Sequence, residues 1–202
     1  MTLKKVLLTG FEPFGGRELN PSYEAVKRAV CGGYDVKKVC LPVTWDGAPK
    51  MLFEEIDAFD PDAVIMCGLA FGSDAVRVER VGINLCGAIA DNNGKYPSGD
   101  VPSERKISDG GADAYFSTFN YEKILKALKE NNIPSTYSFS AGTYICNLAL
   151  YSALMKNASS GAGRKTGFIH LPYVREFDGA DAKAITLDTA VKAVETAVLN
   201  CF

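Results

Sequence analysis

The chain has a single histidine and no closely paired cysteines, and these shortages limit the chemistry open to it. Its six cysteines never form a C-x-x-C pair, and with one imidazole available a zinc site is not expected. The net charge is −2, so the chain lacks the excess of positive charge that is typical of nucleic-acid-binding proteins. No apolar run approaches the ~20 residues that span a bilayer. We therefore expect no metal, no nucleic-acid partner and no membrane span.

What the chain does have is the composition of one ordinary globular domain. Hydrophobic residues make up 47% of its 202 residues and charged residues 23%, and both values are typical of soluble proteins with a sizeable core. The N-terminus runs straight into a strand-like segment with no signal peptide before it, which favours the cytoplasm. No linker or internal repeat interrupts the sequence, so the prediction is a single domain over 1–202.

Segments with strand and helix periodicity alternate along the chain. Asn20 as a cap and Pro21 in the first turn predict a helix start, and short apolar runs predict buried strands. Strands are predicted over 6–9, 36–43, 63–68, 76–85 (half-exposed), 135–141 and 167–171, and helices over 21–30, 48–59, 121–130, 146–155 and 187–199. The alternation predicts an α/β sandwich with a largely parallel sheet, whose ligands bind at the carboxyl ends of the strands.

Cys146 lies where a predicted strand gives way to a helix, just after Gly142. A thiolate at a helix N-terminus is favoured by the helix dipole, and a nearby imidazole can take the thiol proton and return it to a leaving amine. The sole histidine, His170, ends the next predicted strand, so the two side chains are expected to meet at one rim of the sheet. This pair makes the protein a candidate cysteine hydrolase; the alternative is that Cys146 is a buried structural thiol.

An imidazole that works with a thiol usually needs a third group to orient it. Glu79 interrupts an apolar strand pattern and is the preferred candidate. Asp91 and Asp100 compete with it, because they lie in a long glycine-rich loop of the kind that is often functional. The alternative for Glu79 is an exposed carboxylate that pairs with Arg77 or Arg80.

Two aromatic residues, Phe11 and Phe14, lie on the loop after the first predicted strand. They are suited to line an apolar pocket for a small ring; the alternative is that they cover the end of the sheet. Gly15 and Gly16 follow, but neither G-x-G-x-x-G nor a G-K-[ST] ending is present, so a nucleotide cofactor is not expected.

Four motifs occur in order along the chain: LTGFEPFGG at 8–16, ERVGIN at 79–84, SAGTYICN at 140–147 and FIHLPY at 168–173. Together they resemble the pyroglutamyl peptidase I family, the C15 cysteine peptidases, over nearly the full length. The resemblance implies a cytoplasmic thiol protease that needs no metal and removes an N-terminal pyroglutamyl residue from peptides. It also implies a three-layer α/β/α sandwich with a twisted mixed sheet, and a homo-oligomer, commonly a tetramer.

The resemblance assigns roles to individual residues. It implies Cys146 as the nucleophile, His170 as the general acid and base, and Glu79 as the orienting acid. The pyrrolidone ring is expected between aromatic side chains, which correspond here to Phe11 and Phe14. Further substrate-binding residues are expected at Leu69, Tyr144 and Ile145, and the backbone N–H of Cys146 is suited to stabilise an oxyanion.

The chain also departs from the family pattern. Leu69 stands where many bacterial members have Gln, Arg77 replaces a small hydroxyl residue, and Tyr137 replaces an aliphatic one. The loop at 87–92 lacks an arginine and a proline that many bacterial members carry. These departures leave open two alternatives: a related cysteine amidase for another N-blocked substrate, and a non-catalytic binding protein that kept the fold.

Overall fold

The computed structural model describes residues 2–178 and 184–202. Its strands are β1 (Lys4–Phe11), β2 (Tyr34–Leu41), β3 (Ala63–Leu69), β4 (Val76–Glu79), β5 (Val81–Ile83), β6 (Ala114–Phe116), β7 (Ser135–Ser138) and β8 (Lys165–Leu171). Its helices are α1 (Pro21–Arg28), α2 (Gly47–Phe59), α3 (Tyr121–Glu130), α4 (Ile145–Ser160), α5 (Arg175–Asp178) and α6 (Leu187–Leu199).

Six of these strands form one sheet in the order β2-β1-β3-β8-β4-β7. The first four of that order run parallel to one another, β4 runs antiparallel to β8, and β7 runs parallel to β4. Strands β5 and β6 form a separate antiparallel pair. The predicted fold class, an α/β fold with a mostly parallel mixed sheet, is confirmed.

Helices cover both faces of the sheet because its central strands are apolar on both sides. Alternate residues of β1 enter different cores: Val6 and Leu8 pack with α1, α3 and α6, whereas Leu7 packs with α2 and α4. Strands β3 and β8 alternate in the same way. The helix start predicted at Asn20 is also present, since the Asn20 side chain accepts a hydrogen bond from the Ser22 N–H.

The segment 76–85, predicted as one half-exposed strand, differs from that prediction. It forms two strands, and β4 lies inside the sheet with Val76, Val78 and Glu79 buried. Its charged residues alternate with apolar ones because one face of β4 meets a core and the other face meets the candidate site. The alternation was therefore misread as solvent exposure. Strand β6 and helix α5 were not predicted.

The reversed direction of β4 and β7 changes how the site is built. We expected the strand before Cys146 to end at the same rim as β1, β3 and β8. Because β7 runs the other way, the loop after Ser138 must return along the sheet to reach Cys146 at the start of α4. The same reversal places Glu79, the last residue of β4, opposite Phe168, two residue pairs deeper than Arg77 and His170.

Gly10 allows α1 to cross the end of β1 at close range. A Cβ at this position would lie 2.6 Å from Tyr23 Cα and 2.7 Å from Tyr23 N, backbone atoms that cannot rotate away. We expect Gly10→Ala to lower the free energy of unfolding by about 1–3 kcal/mol, measured by urea denaturation. Gly32→Ala is the matched control, since no atom lies within 4 Å of the added carbon. Equal stability of the two variants would contradict the close approach.

Candidate active site

Glu79 and His170 form a buried pair between two adjacent strands. In β4 and β8, Arg77 lies opposite His170 and Glu79 opposite Phe168, so these four side chains share one face of the sheet. The His170 Nδ1 atom is 2.8 Å from Glu79 Oε1. Glu79 is fully buried and His170 is 6% exposed. The second carboxylate oxygen of Glu79 has no hydrogen-bond partner within the described residues, which leaves the imidazole as its main source of stabilisation.

Cys146 lies in the first turn of α4, directly above that face. Gly142 takes a positive φ of 77° in the turn that leads into the helix, a conformation that glycine adopts without strain. The sulfur lies over Gly68 of β3, where a Cβ would be 3.0 Å from Cys146 Sγ and 2.7 Å from the Phe168 ring. Glycine at position 68 therefore leaves the room that the sulfur and the Phe168 ring occupy.

The structure brings Cys146 and Glu79 to the same imidazole, that of His170. Burial alone would lower the pKa of His170, but the negative charge and hydrogen bond of Cys146, followed by those of Glu79, raise it to about 9. The imidazolium is therefore favoured when the sulfur is a thiolate. A thiol, an imidazole and a carboxylate grouped in this way are the components that thiol-dependent nucleophilic catalysis requires.

The other carboxylates considered for the orienting role lie elsewhere. Asp91 is buried, but its oxygens accept hydrogen bonds from the backbone N–H groups of Trp45, Asn93 and Lys95, so it shapes its own loop. Asp100 is exposed. The alternative in which Glu79 is an exposed partner of an arginine does not fit its complete burial.

Burial raises the pKa of each of the other five thiols. It raises the pKa of Cys31, Cys40 and Cys86 to about 11 and that of Cys201 to about 12. It also raises the pKa of Cys67, which is enclosed in the core. Thiolate chemistry at these five positions is disfavoured near neutral pH.

On one side of the Cys146 sulfur lies a narrow apolar slot. Its lining consists of Phe11, Phe14, Asn20, Val43, Leu69, Tyr144, Ile145 and Cys146. The free volume is about 10 Å³, enough for about one water molecule. All five residues predicted to bind substrate line this slot. Phe11 also belongs to the core, while Phe14 is half-exposed on the loop between β1 and α1.

Next to the slot lies an open cleft of about 410 Å³, which shares Phe14, Leu69, Tyr144 and Cys146 with it. His170 and Arg77 supply its charged lining, and Phe71, Ser140 and Gly142 belong to its wall. Cys146 thus borders both a tight apolar space and a wider one that Arg77 and His170 also line. This asymmetry suits a substrate with a small ring on one side of the scissile bond and a chain of variable length on the other.

Two residues that support the site were given no role in the sequence analysis. The buried amide of Asn147, next to Cys146, accepts a hydrogen bond from the Ile83 N–H and donates to the carbonyls of Ile83 and Leu85. Trp45 donates its indole N–H to the Ile89 carbonyl and packs edge-on against Tyr144. The one available signal for Asn147 was its place in the cysteine motif.

The loop that departs from the family pattern also touches the slot. The Tyr144 hydroxyl donates to the carbonyl of Ala90, 3.0 Å away, and the Gly87 N–H donates to the Thr143 carbonyl. The loop at 87–92 therefore holds one wall of the slot in place through its backbone.

Within the described ranges, no three side chains of His, Cys, Asp or Glu converge as a group that could hold a metal ion. Over residues 2–178 and 184–202, none of the helices combines the length and apolar character needed to cross a membrane.

Comparison with known proteins identifies relatives over the whole chain. The family model described as pyroglutamyl peptidase matches residues 4–201. The chain is 42% identical over 198 residues to a pyrrolidone-carboxylate peptidase from Thermococcus onnurineus, covering 96% of each chain. It is 40% identical over 204 residues to a protein of the same name from Escherichia fergusonii, covering 98% of this chain and 92% of that one.

Solved structures give the same result. The pyroglutamyl peptidase I of Bacillus amyloliquefaciens superposes with a TM-score of 0.89 at 36% identity, covering 98% of this chain and 96% of that one. The pyrrolidone carboxyl peptidase of Thermococcus litoralis gives a TM-score of 0.90 at 36% identity, with coverage of 98% and 93%.

Because the chain has a single histidine, the pKa of His170 can be measured without overlap from other imidazole signals. Because Cys146 is the largest cause that raises the pKa of His170, we expect Cys146→Ala to lower that pKa, since burial then acts with only Glu79 against it. Glu79→Gln should also lower it. The measurement is an NMR titration of the one imidazole signal. An unchanged His170 pKa in Cys146→Ala would contradict the contact between sulfur and ring.

Proposed function

Since the chain belongs to the pyroglutamyl peptidase family, we propose that it hydrolyses the amide bond that follows an N-terminal pyroglutamyl residue of peptides. The observation that carries the proposal is the grouping of Cys146, His170 and Glu79 beside an apolar slot and an open cleft. We assign Cys146 as nucleophile, His170 as general acid and base, and Glu79 as the group that orients the ring.

In the first step the Cys146 thiolate attacks the carbonyl carbon of the pyroglutamyl residue. The backbone N–H of Cys146, at the start of α4, is suited to stabilise the oxyanion, an effect worth roughly 3 kcal/mol per donor. The amide C–N bond then breaks, and the imidazolium of His170 gives its proton to the leaving amine. The product is a pyroglutamyl thioester of Cys146 and a peptide shortened by one residue.

In the second step water replaces the leaving peptide. His170, now neutral, takes a proton from water as the hydroxide attacks the thioester carbonyl. The C–S bond breaks, which releases pyroglutamate and restores the thiolate and the imidazolium. Glu79 lies 2.8 Å from the Nδ1 atom of the ring, and this contact directs the other ring nitrogen at the reacting atoms.

The apolar slot suits the pyroglutamyl ring. The ring nitrogen is part of a lactam, so the substrate carries no free α-amine and the slot needs no carboxylate to bind one. Phe11 and Leu69 provide fixed apolar walls. Since the free volume is about 10 Å³, the ring enters only when Phe14 moves outward, and its half-exposed position on a loop permits that movement.

Two further predictions accompany this proposal. We propose a homo-oligomer, dimer or tetramer, supported by the exposed aromatic side chains of Tyr137 and Phe139 at β7, the edge strand of the sheet. The cytoplasmic location stays a prediction of the sequence.

We expect Cys146→Ser to reduce hydrolysis of a fluorogenic pyroglutamyl amide by at least about 10³-fold, because a serine hydroxyl is a far weaker nucleophile in this setting. The measurement is initial rate, with an alanyl amide as control substrate. Cys40→Ser is the matched control variant, since Cys40 lies on β2 away from the cleft. Retained activity in Cys146→Ser would remove the proposed nucleophile, and activity on other blocked amides alone would favour the amidase alternative.

We expect Glu79→Gln to lower kcat by about 10²–10⁴-fold with little change in KM, because the amide cannot stabilise the imidazolium that forms during the reaction. Glu24→Gln is the matched control, a substitution at a buried glutamate on α1. Equal kcat in both variants would exclude an orienting role for Glu79.

A further inference from the structure

Arg77 is the feature of the cleft that the proposed mechanism does not use. Resting on the proposed function, we propose that Arg77 selects pyroglutamyl peptides that place a carboxylate on the leaving side of the scissile bond. That carboxylate is either an acidic side chain directly after the pyroglutamyl residue or the free C-terminus of a pyroglutamyl dipeptide.

The strand register places Arg77 beside the reacting groups. Arg77 and His170 are direct partners across β4 and β8, and directly opposite residues in antiparallel strands have Cβ atoms about 4.5–5.5 Å apart. Both side chains line the open cleft together with Cys146. Glu79 shares this face but lies two residue pairs deeper and is fully buried, whereas Arg77 is half-exposed at the mouth.

The guanidinium of Arg77 keeps free donors. Its Nε atom donates to Ser73 Oγ at 3.1 Å, which fixes the orientation of the group. Within residues 2–178 and 184–202 no carboxylate forms an ion pair with it, and no other side chain takes its terminal nitrogens. An anchored arginine with free terminal N–H groups is arranged for bidentate binding of a carboxylate.

The leaving peptide passes on the Arg77 side of the nucleophile. The pyroglutamyl ring occupies the apolar slot, so the remainder of the substrate extends into the open cleft. His170 protonates the leaving amine, which requires that amine to lie near the ring. The residue attached to the amine therefore lies near Arg77, the direct cross-strand neighbour of His170.

Wild-type protein tests the selection with matched peptides. Pyroglutamyl-glutamyl amide and pyroglutamyl-glutaminyl amide differ only in charge at the first residue of the leaving peptide. Pyroglutamyl-alanine and its amide differ only at the C-terminus, so the two pairs separate the two sources of carboxylate. We expect the acidic member of at least one pair to have the higher kcat/KM by about tenfold, the lower end for a charge-assisted hydrogen bond that solvent still reaches.

Two variants attribute the preference to Arg77. Arg77→Ser should abolish the acidic preference while it retains hydrolysis of the glutaminyl peptide, and Arg77→Lys should restore part of the preference. Arg28→Ser is the matched control, because it removes one positive charge from an exposed position on α1, on the opposite face of the sheet. Raising the ionic strength from about 0.05 M to about 0.5 M should shrink the wild-type preference, since salt screens exposed charges.

The outcomes separate this inference from the proposed function. Equal kcat/KM within both wild-type pairs overturns the selection by Arg77 and leaves the peptidase activity standing. A uniform loss in Arg77→Ser across all peptides also overturns it, because Arg77 would then act on the catalytic groups. If wild-type protein hydrolyses no pyroglutamyl peptide, the proposed function fails, and the inference fails with it.

Discussion

The hydrogen bond between Glu79 and His170 is the constraint on which the rest of the site depends. A fully buried carboxylate is costly unless it is compensated, and within the described residues the imidazole is the main group that compensates it. The cost is acceptable only if the ring carries positive charge, and the sulfur of Cys146 supplies the second negative partner. Cys146 and Glu79 both raise the pKa of His170, so removal of either one weakens the stabilisation of the charged ring.

The reversed strand β4 is what makes this buried pair possible. A parallel strand at that place would end at the rim, and its last residue would face solvent. Since β4 runs antiparallel to β8, its last residue lies beneath His170 and its second residue, Arg77, lies at the mouth of the cleft. Gly68 on β3, the strand on the other side of β8, completes the arrangement. The absence of a side chain there leaves space for the Cys146 sulfur. Sheet topology thus sets the depth at which each charge is buried.

The sequence predicted the elements with clear periodicity well. Helix α3 over 121–130 and helix α6 over 187–199 have the predicted bounds, because their apolar positions recur on one helical face. Strand direction could not be predicted, since local patterns do not encode it, and so the depth of Glu79 was missed. The alternation of Arg77 and Glu79 with valines looked like exposure because a polar active-site face and a solvated face have the same pattern. Asn147 lies in the cysteine motif, but its supporting role was missed because the motif does not show that its side chain is buried and bonded to the backbone of β5.

The slot and the cleft that border Cys146 differ in how far the structure fixes their walls. On the slot side, Phe11, Tyr144 and Trp45 are held by the core and by hydrogen bonds to the loop at 87–92. A change there disturbs several contacts at once. On the cleft side, Arg77 donates a hydrogen bond to Ser73 Oγ and borders open space. A substitution at that position alters charge at the mouth, whereas Glu79 lies two residues deeper along the strand. Substitutions at Arg77, at the rim of β4, are therefore expected to change the preference for the leaving peptide while they disturb few contacts in the structure.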